Sequence, residues 1–350
     1  MSKASTARLL DLLGIELPVI QAPMAGFTTP DMVIAVAEAG GLGSLASATY
    51  SAADLRKALD QVRAGTRCPL NLNFFSHQNP ADDPARQAAW LARLTRYYEE
   101  AGLDPNAPRA AVGRTPFDAE LCGIVEEYRP EIVSFHFGLP SAELLARVKQ
   151  TGAKVLSSAT TVAEARWLAE RGVDAVIAMG AEAGGHRGNF LTQDMAAQIG
   201  TFALLPQIVA AVPVPVIAAG GIVDRRGVEA ALALGAAGVQ AGTAYLFTPE
   251  AKLSAVHRQA LHSPERPTAL TNLFTGRPAR GIVNRLMTEL GPLCADAPAF
   301  PTAGGVLGPL RTAAENAGRD DFSPLWAGQA FPLAKPMSSA ALTRVLGGTT

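Results

Sequence analysis

Between Gly180 and Gly188 the chain reads GAEAGGHRG, four of its nine residues glycine, and carries a histidine, an arginine and a carboxylate. An imidazole with an ordinary pKa of about 6.5 is neutral enough at pH 7 to take a proton and return it, so His186 is the candidate general base. Arg187 beside it has two readings, contact with a phosphate or substrate anion, or simple solvation. Glu182 is expected to come with them into the same opening. A second histidine, His136, closes the run Ser134-Phe135-His136-Phe137-Gly138, on the face opposite Phe135 and Phe137 if that run is a strand. It either touches substrate or is a satisfied core histidine. His77, His257 and His262 fall in polar or irregular stretches and are expected to be solvated. No carboxylate or thiol stands at ligand spacing from His136 and His186, so no metal is expected.

A second constellation is rich in glycine. Ala218-Ala219-Gly220-Gly221-Ile222 and Gln240-Ala241-Gly242-Thr243 each follow an apolar run. Glycines let backbone N–H groups approach an anion and Thr243 adds a hydroxyl, so the two loops together predict a phosphate cradle, although each alone could merely turn the chain. Asn73, in Asn71-Leu72-Asn73-Phe74, offers an amide donor and acceptor suited to the edge of a planar heterocycle. Met24, in Ala22-Pro23-Met24-Ala25-Gly26, either backs such a ring or is plain packing.

These residues need a scaffold that brings distant loops together. The chain has 350 residues, 48% hydrophobic and only 17% charged, which excludes disorder and implies extensive buried layers. Eight short apolar runs recur at 18–24, 42–47, 69–74, 132–138, 153–159, 174–180, 215–221 and 238–246. They lack strict alternation, as strands covered on both faces do, and so predict parallel pairing. Segments with helical spacing lie between them, at 30–40, 52–64, 141–152 and 161–172, several ending in Gly. Eight such units predict an α/β fold, a (β/α)8 TIM barrel spanning 1–248, in preference to an open doubly wound sheet with two edges. Ligands then bind at the C-terminal ends of the strands, where the residues above fall, with the exception of His77, His257 and His262.

Two segments stand outside the repeat. Residues 76–114 form an insertion after the third strand with a helix over 85–101, and residues 249–350 form a C-terminal extension covering the barrel mouth or making an oligomer contact. The uncharged stretch 195–223 is long enough to cross a bilayer, but Pro206, Pro213 and Pro215 are expected to cut it into helix, turn and strand. A net charge of −1 without a basic stripe argues against nucleic acid. Three scattered cysteines give no disulfide framework, and Asp11 and Glu16 break the one leader-like stretch, so a cytoplasmic location is expected. Low charge and an apolar tail are compatible with a homodimer, although barrels associate through many surfaces.

The motifs PVIQAPMAG (18–26), VSFHFG (133–138), EAGGHRG (182–188), PVIAAGGI (215–222) and QAGT (240–243) occur in this order and resemble those of class I nitronate monooxygenases. GRPARG (276–281) and LWAGQ (325–329) carry the resemblance into the tail. It implies non-covalent FMN, with phosphate on Gly221, Gln240, Gly242 and Thr243 and with Asn73 and Gly184 near the flavin; Met24, Met179, Gly185 and Gly220 complete the expected cofactor site. It further implies that His186 deprotonates neutral nitroalkanes, that alkyl nitronates such as propionate 3-nitronate need no such step, and that O2 is consumed to give a carbonyl compound and nitrite, a detoxifying reaction. EAGGH alone also resembles FMN-dependent enoyl-acyl carrier protein and quinone reductases, which use NAD(P)H; a phosphate-ligand barrel acting as an isomerase or lyase, or as a binding protein without redox chemistry, is a third reading. Two departures stand out: Met179 replaces a glutamine of many members, and 300–308 lacks tyrosines found in some.

Overall fold

The computed structural model describes residues 2–107 and 114–349. Positions 108–113 of the expected insertion and Thr350 of the tail lie outside the described residues.

The eight apolar runs form strands β1 (Val19–Gln21), β2 (Gly43–Ala46), β3 (Leu70–Phe75), β4 (Ile132–His136), β5 (Lys154–Ala159) and β6 (Ala175–Met179). After a two-residue strand of another sheet, β7 (Gly185–His186), come β8 (Val216–Ala219) and β9 (Gly238–Ala241). Neighbouring strands run parallel in the order β1-β9-β8-β6-β5-β4-β3-β2. The two ends meet: the Leu42 amide donates to the Val19 carbonyl at 2.9 Å and the Gln21 amide to the Leu42 carbonyl at 3.0 Å. That closes a (β/α)8 barrel and leaves no sheet edge. The last run stops earlier than expected, since Thr243–Leu246 is already helical.

Alternation along each strand sorts side chains between barrel interior and helical ring. In β4, Val133 and Phe135 join the core beneath the helices, while Ile132 lies in the floor layer with Ile20, Leu42, Leu156, Ile177 and Ile217. Ser134 and His136 continue the inner row upward to the mouth. Leu9, Leu13 and Ile15 complete the floor, so the N-terminal helix Ser2–Leu13 plugs the bottom of the barrel. Its apolar residues, which resemble a leader in sequence, are buried there.

The outer helices begin at polar caps. The side chains of Thr29, Ser51, Asp118, Ser141, Thr161 and Asp224 each accept from the amide three residues on. Pro206 does not cut its segment as expected: it sits inside the helix Thr201–Ala211, and only Pro213 and Pro215 fall in the turn before β8. No helix among the described residues is long and apolar enough to cross a membrane.

The tail does more than extend the barrel. Its last helix, Ser339–Gly347, packs between the helices Pro30–Glu38 and Arg225–Ala233 and so supplies the eighth helix of the ring. The Tyr245 hydroxyl, 2.8 Å from Thr343 Oγ1, ties it to the segment after β9. Before that helix, the tail forms a second core with the insertion. Trp90, Leu94, Tyr97 and Tyr98 of the helix Pro84–Glu100 pack on Leu273, Phe274, Leu286, Leu307, Leu310 and Phe322. Trp90 Nε1 donates to the Ala303 carbonyl at 3.1 Å, satisfying the one polar atom of a fully buried ring. The tail also contributes β10 (Thr268–Thr271) and β11 (Ala279–Ile282), which pair antiparallel with each other, and β11 pairs with β7.

Candidate active site

The loop leaving β6 is held from three sides, and this fixes His186. As part of β7, His186 is paired with Ala279 of β11, and the next amide, Arg187, donates to the Pro278 carbonyl at 2.8 Å. On the other side the Gln329 amide donates to the Glu182 carbonyl at 2.9 Å. Gly184 is needed at this crossing, because a Cβ there would stand 2.5 Å from the Gly328 nitrogen. The tail motifs at 276–281 and 325–329 are thus the two walls that clamp the histidine loop.

Two charged residues of the loop do not face the mouth. Arg187 is fully buried and points inward: Nη1 donates to the Gly180 carbonyl at 2.7 Å, Nη2 to the Met179 carbonyl at 2.8 Å, and Nε to Gln198 Oε1 at 2.9 Å. Its donors are spent on bracing the loop against its own strand, so the expected anion contact is replaced by a structural one. Burial pushes its pKa down to about 10, which still leaves the guanidinium charged at neutral pH. Glu182 accepts from the Thr201 amide and hydroxyl, the amide contacts being 2.9 and 2.8 Å, and so anchors the start of the helix Thr201–Ala211.

The His186 ring stands in an aromatic box, 5.3 Å from Phe300, 5.6 Å from Trp326, 6.1 Å from Phe137 and 6.2 Å from Phe75 between centroids. Its Nε2 lies 2.9 Å from Thr275 Oγ1. Burial first, then the positive charge of Arg114 and further cationic groups, hold its pKa well below the ordinary value, so the ring is neutral at pH 7. His136 is deeper in the same wall. Its Nε2 is 3.2 Å from the His186 carbonyl, which can only accept, so Nε2 carries the proton and Nδ1 accepts from the Ser158 hydroxyl at 2.6 Å. Both nitrogens are engaged, and burial lowers its pKa to about 3. The residue lines the cavity as a positioning group with no nitrogen left for substrate.

The cavity has an empty volume of about 1240 Å³, part of it open to solvent, and joins the two constellations that the sequence leaves 34 to 57 residues apart. Met24, Asn73, Met179, Gly184, Gly185, His136 and His186 line it together with Gly220, Gly221, Gln240, Gly242 and Thr243. A phosphate-bearing planar group fits the residues present. Gln240 Oε1 is buried with no hydrogen-bond partner, an acceptor suited to an O–H or N–H of such a group, which leaves its Nε2 as the donor toward phosphate, and Gly221 turns at φ 73° with no side chain to fill the cradle. Thr243 Oγ1 accepts from the Gly328 amide at 2.9 Å, which leaves its hydroxyl hydrogen free to donate. Asn73 Nδ2 is committed to Ser134, by its Oγ at 2.9 Å and its carbonyl at 3.2 Å, so the Oδ1 acceptor is what it offers.

Several residues of the site escape sequence reasoning. Thr275 and Phe300, which touch His186, and Arg114, which lines the cavity, have no motif of their own and come to the site only through the packing of insertion and tail, while Phe75 at the end of β3 and Trp326 within the 325–329 motif carry no sign in sequence of facing the cavity. Phe137 takes φ 72°, a left-handed conformation that bulky residues rarely adopt, which presents its ring to His136 at 4.4 Å. Two histidines expected to be solvated are buried. His77 is 4.8 Å from the Phe300 ring, and His257 Nε2 donates to the Trp326 carbonyl at 3.1 Å with its ring edge-on to Phe27. Local polarity misleads because the tail folds over both. His262 is exposed, as expected. Among the described residues no group of three or more His, Cys, Asp or Glu could hold a metal ion.

Barrel, mouth cavity and neutral histidine together define a (β/α)8-barrel enzyme with its ligands at the C-terminal ends of the strands. A family model described as nitronate monooxygenase matches residues 6–347. The nitronate monooxygenase of Pseudomonas aeruginosa is 42% identical over 344 residues, 97% of this chain and 98% of its own. The solved structure of nitroalkane oxidase from Streptomyces ansochromogenes superposes with a TM-score of 0.87 at 38% identity, covering 98% of this chain and 97% of the other. FabK from Thermotoga maritima is more distant, with a TM-score of 0.71 at 27% identity over 97% and 94% of the two chains. The chain belongs to the nitronate monooxygenase family and is an oxidoreductase of nitronates.

Proposed function

We propose that the enzyme uses FMN and O2 to convert alkyl nitronates, propionate 3-nitronate among them, to a carbonyl compound and nitrite. Nitroalkanes enter the same reaction once His186 has removed the proton next to the nitro group. The observation that carries this reading is the single cavity lined both by His186 and by Gly220, Gly221, Gln240, Gly242 and Thr243.

FMN, when bound, supplies an acceptor for the electron of the nitronate and returns it to O2. The protein supplies placement. Gly220, Gly221, Gln240, Gly242 and Thr243 take the phosphate; Met24, Asn73, Met179, Gly184 and Gly185 border the ring system. Met179 brings a thioether, so the ring contact made by a glutamine in other members is not reproduced by its side chain. The Thr275 hydroxyl has the Arg277 carbonyl at 3.4 Å as acceptor, which leaves its oxygen to receive the His186 Nε2 proton. His186 Nδ1 is then the basic atom, and the aromatic box keeps water from it.

The experiment is an anaerobic absorbance spectrum of the FMN-loaded protein before and after addition of propionate 3-nitronate and, separately, NADH. Bleaching by the nitronate, with nitrite formed on admission of air, is the expected result. Bleaching by NADH alone would move the enzyme to the reductases.

A further inference from the structure

Four arginines surround the histidine loop, and three have hydrogen-bond acceptors of their own. Arg187 braces Gly180 and Met179; Arg277 donates to the Asn189 carbonyl and lies 4.0 Å over the Phe137 ring; Arg280 donates to the Ala181 carbonyl at 2.9 Å. Arg114 differs. It lines the cavity, yet among the described residues its guanidinium has no ion pair and no hydrogen-bond acceptor. The six residues that precede it, 108–113, include no Asp or Glu.

The position is as informative as the missing partner. Arg114 also lines an outer cleft with Asn79, Gln87, Thr115, Pro298 and Thr302, so it stands where that cleft meets the reaction cavity. The acidic groups of the cleft, Asp82 and Asp83, make no ion pair with it. After burial, its charge is the strongest influence on the His186 ring. A guanidinium withdrawn from water without a counter-ion is costly, and its planar fork matches a carboxylate in two parallel hydrogen bonds. An anion reaching His186 with its reacting carbon and trailing a carboxylate toward the cleft would complete the pairing.

We propose that Arg114 is a specificity-determining residue that binds the remote carboxylate of a nitronate substrate and selects such substrates over plain alkyl nitronates. This rests on the proposed function and deepens it. The test compares propionate 3-nitronate with ethyl nitronate on the FMN-loaded wild type and on Arg114→Met and Arg114→Lys, all with melting temperatures recorded. In Arg114→Met the ratio of kcat/KM for the two substrates should fall at least thirtyfold, through KM, and Arg114→Lys should recover part of it. Calorimetry with succinate, an unreactive compound of matching length and charge, should show binding to wild type that weakens at least tenfold in Arg114→Met. An unchanged ratio, or succinate binding that ignores the substitution, overturns the assignment. A wild type that oxidises neither nitronate overturns the proposed function instead, and the succinate comparison still decides what Arg114 does.

Discussion

The ring Nε2 of His136 lies 3.2 Å from the carbonyl oxygen of His186, so one histidine of the cavity holds the backbone of the other. The bond needs a neutral ring with its proton on Nε2, and Ser158 fills the remaining nitrogen. His136→Phe keeps the aromatic bulk and removes both bonds, leaving a buried hydroxyl and a buried carbonyl unpaired. The expected cost is about 1–3 kcal/mol of stability. Because the loss lies in the placement of His186, kcat/KM should fall about tenfold for nitroalkanes, the sort of penalty a small misplacement of a catalytic group brings. Denaturant titration and steady-state kinetics check the two parts separately.

His186→Asn separates the substrates by their protonation state. A nitroalkane needs a base and a nitronate does not, so nitroalkane turnover should drop by about 10²–10⁴ while nitronate turnover stays within a few-fold. Equal loss on both would assign His186 to binding or to the fold rather than to proton removal. Oxygen consumption with nitroethane and ethyl nitronate, at matched FMN occupancy, reads the difference.

Gly184→Ala tests the crossing of the loop and the tail. The new methyl would meet the Gly328 nitrogen at 2.5 Å, and backbone on both sides cannot yield cheaply. Overpacking of this kind costs about 1–3 kcal/mol. The displaced segment carries Gly328, whose amide is bonded to Thr243 of the cradle, so FMN affinity should fall together with melting temperature. Fluorescence titration of free FMN measures the first and thermal unfolding the second.

The barrel was readable because its signal is local: each strand is a short, largely apolar run, and most of the ring helices start at a Ser, Thr or Asp cap. Gly220, Gly221, Gln240, Gly242 and Thr243 were readable for the same reason, as residues at strand ends. What escaped depends on contacts made far along the chain. Arg187 looks like an anion binder by its neighbours, yet its partners Gly180 and Met179 lie on the strand behind it. His77 and His257 sit in polar stretches, and the aromatic rings of Phe300 and Phe27 cover them only once the tail is in place. The eighth helix escaped because about a hundred residues separate it from the strand it follows in the ring.

Arg187→Lys keeps the charge and loses the geometry. An ammonium cannot serve the carbonyls of Gly180 and Met179 and the Gln198 side chain from one planar fork. With the residue fully buried, the loss should reach about 3 kcal/mol, comparable to breaking a buried charged network. If Arg187 bound substrate instead, KM would rise with the melting temperature unchanged. Thermal unfolding beside a KM determination tells them apart.

Acid should destabilise the protein earlier than its carboxylates alone would dictate. Burial holds His136 at about 3 and His77 and His257 at about 4, whereas the unfolded chain titrates them near the ordinary 6.5. Between these values the unfolded state binds protons that the folded state refuses. The stabilisation is therefore complete above pH 6.5 and is lost as the pH falls through that window. Each enclosed histidine contributes up to about 1.4 kcal/mol per pH unit there, so the melting temperature should decline steadily from pH 6.5 to 4.5, before most carboxylates protonate. His257→Gln offers an internal control, since the amide can still donate to the Trp326 carbonyl but does not titrate. Its decline should be shallower than that of wild type; identical slopes would place the acid sensitivity elsewhere.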